Sequence, residues 1–236
     1  MTFENNLHKL CLIYGNQQLL VEETADSIIE DLLKGSQREW ALERFNSQEL
    51  LKTTLDSGRQ NVEDLLISCE TLPMLTDRKV IRIDNFELVK KSRNNSGKNN
   101  QHLLYETIEK IIEKPSESIW FVFTSTATRE KDFSNPLFKS IKKKGLIKKF
   151  TAYENDTPLN WVIQRSDTKG LPISADLARL LIDIVGSDLM DLDHELDKLS
   201  LYLSGGNITE EMIKEHIRGH KHFSVFRMTE ALSRKE

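Results

Sequence analysis

The sequence predicts an α/β protein, a helix-covered parallel sheet of five strands followed by a small all-α domain. Two observations carry this. Five apolar runs of strand length alternate with stretches of helical periodicity over residues 1–150, the pattern of parallel strands joined by crossover helices. After Phe150 no strand-like run recurs, and only helical patterns remain. The expected organisation is an α/β domain over residues 1–150, a helical domain of roughly 70 residues over 151–220, and the start of a further helical region over 221–236.

Leu10-Cys11-Leu12-Ile13-Tyr14 reads as the first strand, closed by a turn at Gly15-Asn16. A helix is expected over Gln17–Lys34, with Ala25, Ile28, Ile29, Leu32 and Leu33 on one side and Gly35 just past its end. Trp40–Phe45 reads as the second strand. Ser47 is expected to cap a short helix through Leu55, and Asn61 another, with Asp64 at its third position. Lys79–Ile83 is the third strand, and Ser92–Gln101, rich in Asn, Ser and Lys, reads as a polar loop. His102–Lys114 is amphipathic through Leu104, Ile108, Ile111 and Ile112 and is stopped by Pro115. Ile119–Phe123, the most apolar run, belongs at the centre of the sheet, and Leu146–Phe150 is the fifth strand. In the helical part Thr157-Pro158 reads as a cap and first-turn proline. Ser174 opens the next helix, Asp188 the one after, and Gly205-Gly206 leads into a short helix near Thr209. Ser224–Glu236 begins another helix with almost nothing to pack against.

The strand, turn and helix that begin at Leu10 are how a nucleotide-phosphate loop begins. A working loop needs G-x-x-x-x-G-K-[ST], so that backbone N–H groups and one lysine cradle phosphates. Here the turn holds one glycine, and no lysine follows it before Lys34. The chain is built like an ATPase without the phosphate chemistry, which points to binding rather than catalysis. With 33 basic against 37 acidic residues the net charge is −4, so nucleic-acid contact could come only from a local patch. The densest basic run is Lys139, Lys142, Lys143, Lys144, Lys148 and Lys149; it reads as a solvated face, with contact to DNA phosphate as the alternative.

Other groups read as structural. Cys11 and Cys69 lie far apart and form no C-x-x-C, as expected of buried reduced thiols in a cytoplasmic protein. No signal peptide opens the chain and no run approaches membrane-spanning length. His216, His220 and His222 straddle Gly219 without cysteine or acidic companions, so no metal site is expected. Asp84 reads as a polar cap on the turn after the third strand, and Asp193, Glu195 and Asp197 as an exposed helix face. One apolar pair is different. The helix from Asn61 runs out near Glu70 and Pro73 ends helical geometry, leaving Met74 and Leu75 on a loop before Thr76-Asp77-Arg78. Two large apolar side chains there either plug a partner's pocket or tuck under the sheet.

Several phrases taken together carry a resemblance. They are Leu12-Ile13-Tyr14-Gly15-Asn16 with Val21-Glu22-Glu23, and Leu72-Pro73-Met74-Leu75-Thr76-Asp77-Arg78 followed by Val80-Ile81-Arg82-Ile83-Asp84-Asn85. Val185-Gly186-Ser187-Asp188-Leu189, Glu195-Leu196-Asp197-Lys198-Leu199 and His222-Phe223-Ser224-Val225-Phe226 follow in order. Spread over essentially the whole chain, they resemble the delta-subunit family of the bacterial DNA polymerase III clamp loader. The resemblance implies an AAA+-like, P-loop-NTPase-like sheet domain with a clamp-binding element, then a helical lid. It also implies a C-terminal helical collar, by which five subunits form a ring and of which residues 221–236 would be the start. It implies a non-catalytic subunit, with no cofactor and no metal, that binds the beta sliding clamp and opens one interface of the ring for loading onto primed DNA. The assembly it would serve is a DNA-directed DNA polymerase, a nucleotidyltransferase. The implied partners are the clamp, the other loader subunits and primed DNA, with no membrane.

The resemblance places clamp binding at Met74 and Leu75, flanked by Leu72 and Pro73; family members often carry leucine then phenylalanine at the pair, so this chain keeps only the apolar character. Lys139, Lys142, Lys143, Lys144 and Lys148 become the candidates for DNA contact. Two other readings compete. An active AAA+ ATPase would bind nucleotide through an atypical loop. The sister delta-prime-type subunit carries a four-cysteine zinc site and an arginine finger, and two lone cysteines argue against it.

Overall fold

Both faces of the first and fourth strands are apolar because helices cover both. The computed structural model describes residues 8–34, 38–52, 61–73, 76–91, 100–151, 158–202 and 208–217. The chain divides into two units, Met1–Thr151 and Ala152–Glu236. The first contains, in order, β1 (Leu10–Gly15), α1 (Gln18–Leu32), α2 (Arg38–Ala41), β2 (Leu42–Asn46), α3 (Ser47–Leu50) and α4 (Val62–Glu70). It continues with β3 (Lys79–Asp84), α5 (Asn100–Glu113), β4 (Ile119–Ser125), α6 (Asn135–Lys144) and β5 (Leu146–Phe150).

The five strands form one sheet in the order β2-β3-β4-β1-β5, with every pairing parallel. β4 is central, as its uninterrupted apolar character predicts, and all seven of its residues are buried. Phe121 lies opposite Leu10 of β1 and Ile81 of β3, which fixes the register in the middle of the sheet. Strand alternation then sorts the core. Leu10, Leu12, Ile81, Ile83, Phe121 and Phe123 pack against Leu65, Leu104, Ile108, Leu137, Phe138 and Ile141 from α4, α5 and α6. Cys11, Ile13, Val80, Trp120 and Val122 face the other way, onto Val21, Ala25, Ile28 and Ile29 of α1.

Several elements depart from the sequence reading. Trp40 and Ala41 belong to the four-residue helix α2, and β2 starts at Leu42. Asn46 rather than Ser47 caps α3, its side chain accepting from the Gln48 amide, and the helix stops at Leu50. Asn100 and Gln101, expected in the polar loop, are the first residues of α5: the Gln101 side chain donates to the Leu88 and Lys90 carbonyls and fastens the helix start. The basic run around Lys139 hides a helix. Asn135-Pro136 starts α6, and Leu137, Phe138 and Ile141 give it a buried stripe. Leu55, Gly35 and loop residues 92–99 lie outside the described residues.

The second unit contains α7 (Pro158–Thr168), α8 (Ala175–Val185), α9 (Leu189–Tyr202) and α10 (Glu210–His216), with no strand among its described residues. Ser174 caps α8 and Thr209 caps α10, while Asp188 accepts from the Met190 and Asp191 amides at the start of α9. Asp193 and Glu195 are not on an exposed face. Both are buried, Asp193 between Arg165 and Lys169, because two cations from α7 and the turn after it make burial of that carboxylate tolerable. Thr157, Gly205-Gly206 and residues 218–236, including the expected collar start, lie outside the described residues.

Candidate functional site

A parallel sheet gathers its strand ends at one edge, and in open α/β folds that carboxyl edge is where ligands sit. Here it forms a cleft of about 190 Å³, lined by Gly15 at the end of β1, by Gln18, Val21 and Glu22 of the first turns of α1, and by Asn46, Asp84, Asn85, Thr124, Ser125 and Thr126 at the ends of β2, β3 and β4. This is the place a phosphate loop would occupy. No lysine or arginine lines it, and two carboxylates do. The turn itself is pulled tight. A Cβ on Gly15, whose φ is +149°, would lie 1.7 Å from the Phe150 carbonyl oxygen, and the Gln17 amide donates to that same oxygen. The glycine serves close approach to β5.

At the floor of the cleft lies an ion network around one buried arginine that the sequence reading did not single out. Arg82, in the middle of β3, is 2% exposed. Its Nη2 donates to Glu22 Oε2 of α1 at 2.5 Å and its Nε to Asp84 Oδ1 at 2.7 Å, while Asp26 Oδ1 lies 3.6 Å from Nη1. Thr124 of β4 donates to the same Asp84 oxygen, so Asp84 ties strand to strand instead of capping the turn. Arg44, opposite Arg82 on β2, donates to Asp26. Asn85 adopts the left-handed region at φ 57°, and its side-chain amide donates to Asn46. Burial pulls the Arg82 guanidinium down, and its bonds to Glu22 and Asp84 outweigh that, holding it above its ordinary pKa. The signal that could have revealed the network is a charge interrupting the apolar run Val80-Ile81-Arg82-Ile83.

The second candidate surface is the connection from α4 to β3. Asn61 and Asp64 form the expected capping box, each side chain accepting from the other's amide. One face of α4 buries Val62, Leu65 and Ser68, and Lys79 of β3 holds the helix down by donating to the Ser68 carbonyl at 2.8 Å. The opposite face exposes Ile67, and past the helix end Leu72 is 62% exposed beside half-buried Pro73. Met74 and Leu75 lie outside the described residues.

The lysine run is divided. Lys139, Lys142 and Lys143 sit exposed on α6, where Lys142 pairs with Glu130 at 3.2 Å. Lys144 donates to the Ile112 and Glu113 carbonyls and so closes the end of α5. Lys148 is on β5, where burial lowers its pKa and neighbouring Cys11 acts against that. Burial likewise pushes the Cys11 and Cys69 thiols up to about 12, against the nearby Lys148 and Lys79. His216 stacks on Tyr202, and His220 and His222 lie outside the described residues. Among the described residues no group of three or more His, Cys, Asp or Glu is placed to hold a metal ion. No described helix is long and apolar enough to cross a membrane.

A family model described as "DNA polymerase III, delta subunit" matches residues 11–151. The curated DNA polymerase III subunit delta of Bacillus subtilis (strain 168) is 19% identical over 202 residues, which is 85% of this chain and 54% of that protein. The solved Bacillus subtilis DNA clamp loader delta protein superimposes with a TM-score of 0.60 at 18% identity, over 93% of this chain and 61% of its own. The Thermotoga maritima RuvB Holliday junction branch migration motor does so with a TM-score of 0.53 at 16% identity, over 87% of this chain and 60% of its own. At these identities the structural likenesses speak to the fold, which is AAA+-like. The chain spans about half the length of the curated relative it matches.

Proposed function

The chain belongs to the DNA polymerase III delta-subunit family, and from that premise we propose that it engages the beta sliding clamp and opens one interface of the ring without hydrolysing ATP. Met74 and Leu75 are the plug, with Leu72 and Pro73 at its base. The observation that carries this reading is the exposure of Leu72 and Ile67, at 62% and 63%, around a helix end that Lys79 fixes to the sheet. Apolar side chains left in water on a held element are suited to fill a partner's pocket. Binding that favours an open ring over a closed one shifts the ring's population by its differential affinity.

The cleft supports a non-catalytic role. Glu22 and Asp84 occupy the ground where a phosphate loop presents a lysine, so a triphosphate would meet carboxylate instead of cation. The other loader subunits and primed DNA complete the expected partners, and of the lysine run we take Lys139 and Lys143, exposed on α6, as the candidates for contact with DNA phosphate.

Mixing the protein with a bacterial beta clamp and resolving the mixture by size-exclusion chromatography tests the reading. A stable complex is expected, and Met74→Ala with Leu75→Ala should weaken it by about 2–4 kcal/mol, roughly 30- to 1000-fold in Kd. Unchanged affinity in that double variant removes the plug. Labelled ATP should show no specific binding; saturable binding would favour the ATPase reading.

A further inference from the structure

We infer that the cleft at the carboxyl edge of the sheet takes a cationic hydrogen-bond donor, the guanidinium or ammonium head of an arginine or lysine presented by a neighbouring chain in the loader; this rests on the loader-subunit reading above. The lining is rich in acceptors: the Glu22 and Asp84 carboxylates, the Asn85 side-chain oxygen, and the hydroxyls of Thr124, Ser125 and Thr126, while the Asn46 oxygen already accepts from Gln48 and Asn85. Arg82 takes only one oxygen of each carboxylate, Oε2 of Glu22 and Oδ1 of Asp84. Among the described contacts, the second oxygen of each has no donor.

Charge points the same way. Glu22 and Asp84 share one guanidinium from below, and no cation lines the opening, so the wall repels phosphate and attracts a positive group. Two carboxylates about one planar fork suit a guanidinium especially well. The site is also ready-made. Arg82 is buried and fixes both carboxylates from behind, so little ordering is left for the incoming group to impose. Size selects the source. At about 190 Å³ the cleft is smaller than pockets that enclose whole small-molecule ligands, and it suits the end of one side chain delivered by another protein.

The test uses agmatine, which carries a guanidinium and an amine, with ATP as the contrasting probe. Agmatine should move the side-chain amide NMR signals of Asn46 and Asn85, and ATP should not. Gln18→Arg puts a cation at the mouth of the cleft while leaving the Arg82 bonds intact. It should weaken agmatine binding by about tenfold or more. In the complete subunit it should also weaken co-elution with the other loader subunits, which the collar alone would then hold, while co-elution with the clamp persists. Amide signals that ignore agmatine overturn the inference. So does a Gln18→Arg subunit that blocks agmatine yet joins the other loader subunits like the wild type, because the ligand would then be a free amine. Loss of clamp binding by the unmutated protein would instead sink the clamp reading, and these arms separate the two failures.

Discussion

Arg82 shows how much one residue can hold. Its guanidinium joins α1 to β3, and through Asp84 reaches β4, entirely out of water. Arg82→Met should lower stability by about 2–3 kcal/mol, read from the urea midpoint, which is below the cost of breaking a fully buried pair because Glu22 and Asp84 keep some solvent. Asp193 is the counterpart in the helical unit. Burial raises its pKa, but hydrogen bonds from Arg165 and Lys169 more than offset this, and the net value lies below the ordinary one. A depressed folded pKa contributes stability that is complete above the unfolded value of about 3.9 and is lost as pH falls through the folded one. Acid titration followed by far-UV circular dichroism should show a shallower loss of stability in Asp193→Asn than in the wild type, the remainder coming from other carboxylates held low such as Asp132. Neither residue's role was legible in the sequence. The Arg82 partners lie up to 60 positions away, and Asp193 reads as surface until α7 is packed beside it. Cys11 was more legible: a lone cysteine in an apolar strand is buried, as expected, while Cys69, also expected buried, is only half-buried on the edge of α4; Cys11 should resist a thiol reagent at pH 8 in the folded protein.

At the level of elements, periodicity revealed what packs and missed what is short or polar. β4 and the buried stripe of α5 follow from apolar spacing, because those residues face the core directly, whereas β5, an edge strand, is read from its apolar ends although none of its residues is fully buried. α6 escaped because its lysines mask three buried positions, and α2 because four residues hold barely one turn. Of the candidate sites, the local part was readable: the Asn61–Asp64 capping box is a signature within four residues. Asn61→Ala should cost about 1 kcal/mol in thermal or urea unfolding. Ile67 lies on the same helix with its side chain in water, so Ile67→Ser should change stability by less than about 0.5 kcal/mol. A loss of several kilocalories instead would mean that this face is covered.

For the molecule as a whole, the first unit has a complete sheet with its own core on each face. A chain ending at Thr151 should therefore fold alone, with a sharp thermal transition, and on the clamp reading should keep clamp affinity. The switch from strand-bearing to helical sequence near Phe150 was visible because the two kinds of periodicity do not overlap. The cleft was not, since strands far apart in sequence contribute to it. The closure of Gly15 against Phe150 limits what a substitution at this turn can do. Only two residues separate that glycine from the first turn of α1, and the Gln17 amide is spent on β5. Building a phosphate-cradling loop at this turn would take inserted residues and a prised-apart strand end, so no single lysine substitution should create an ATP site there.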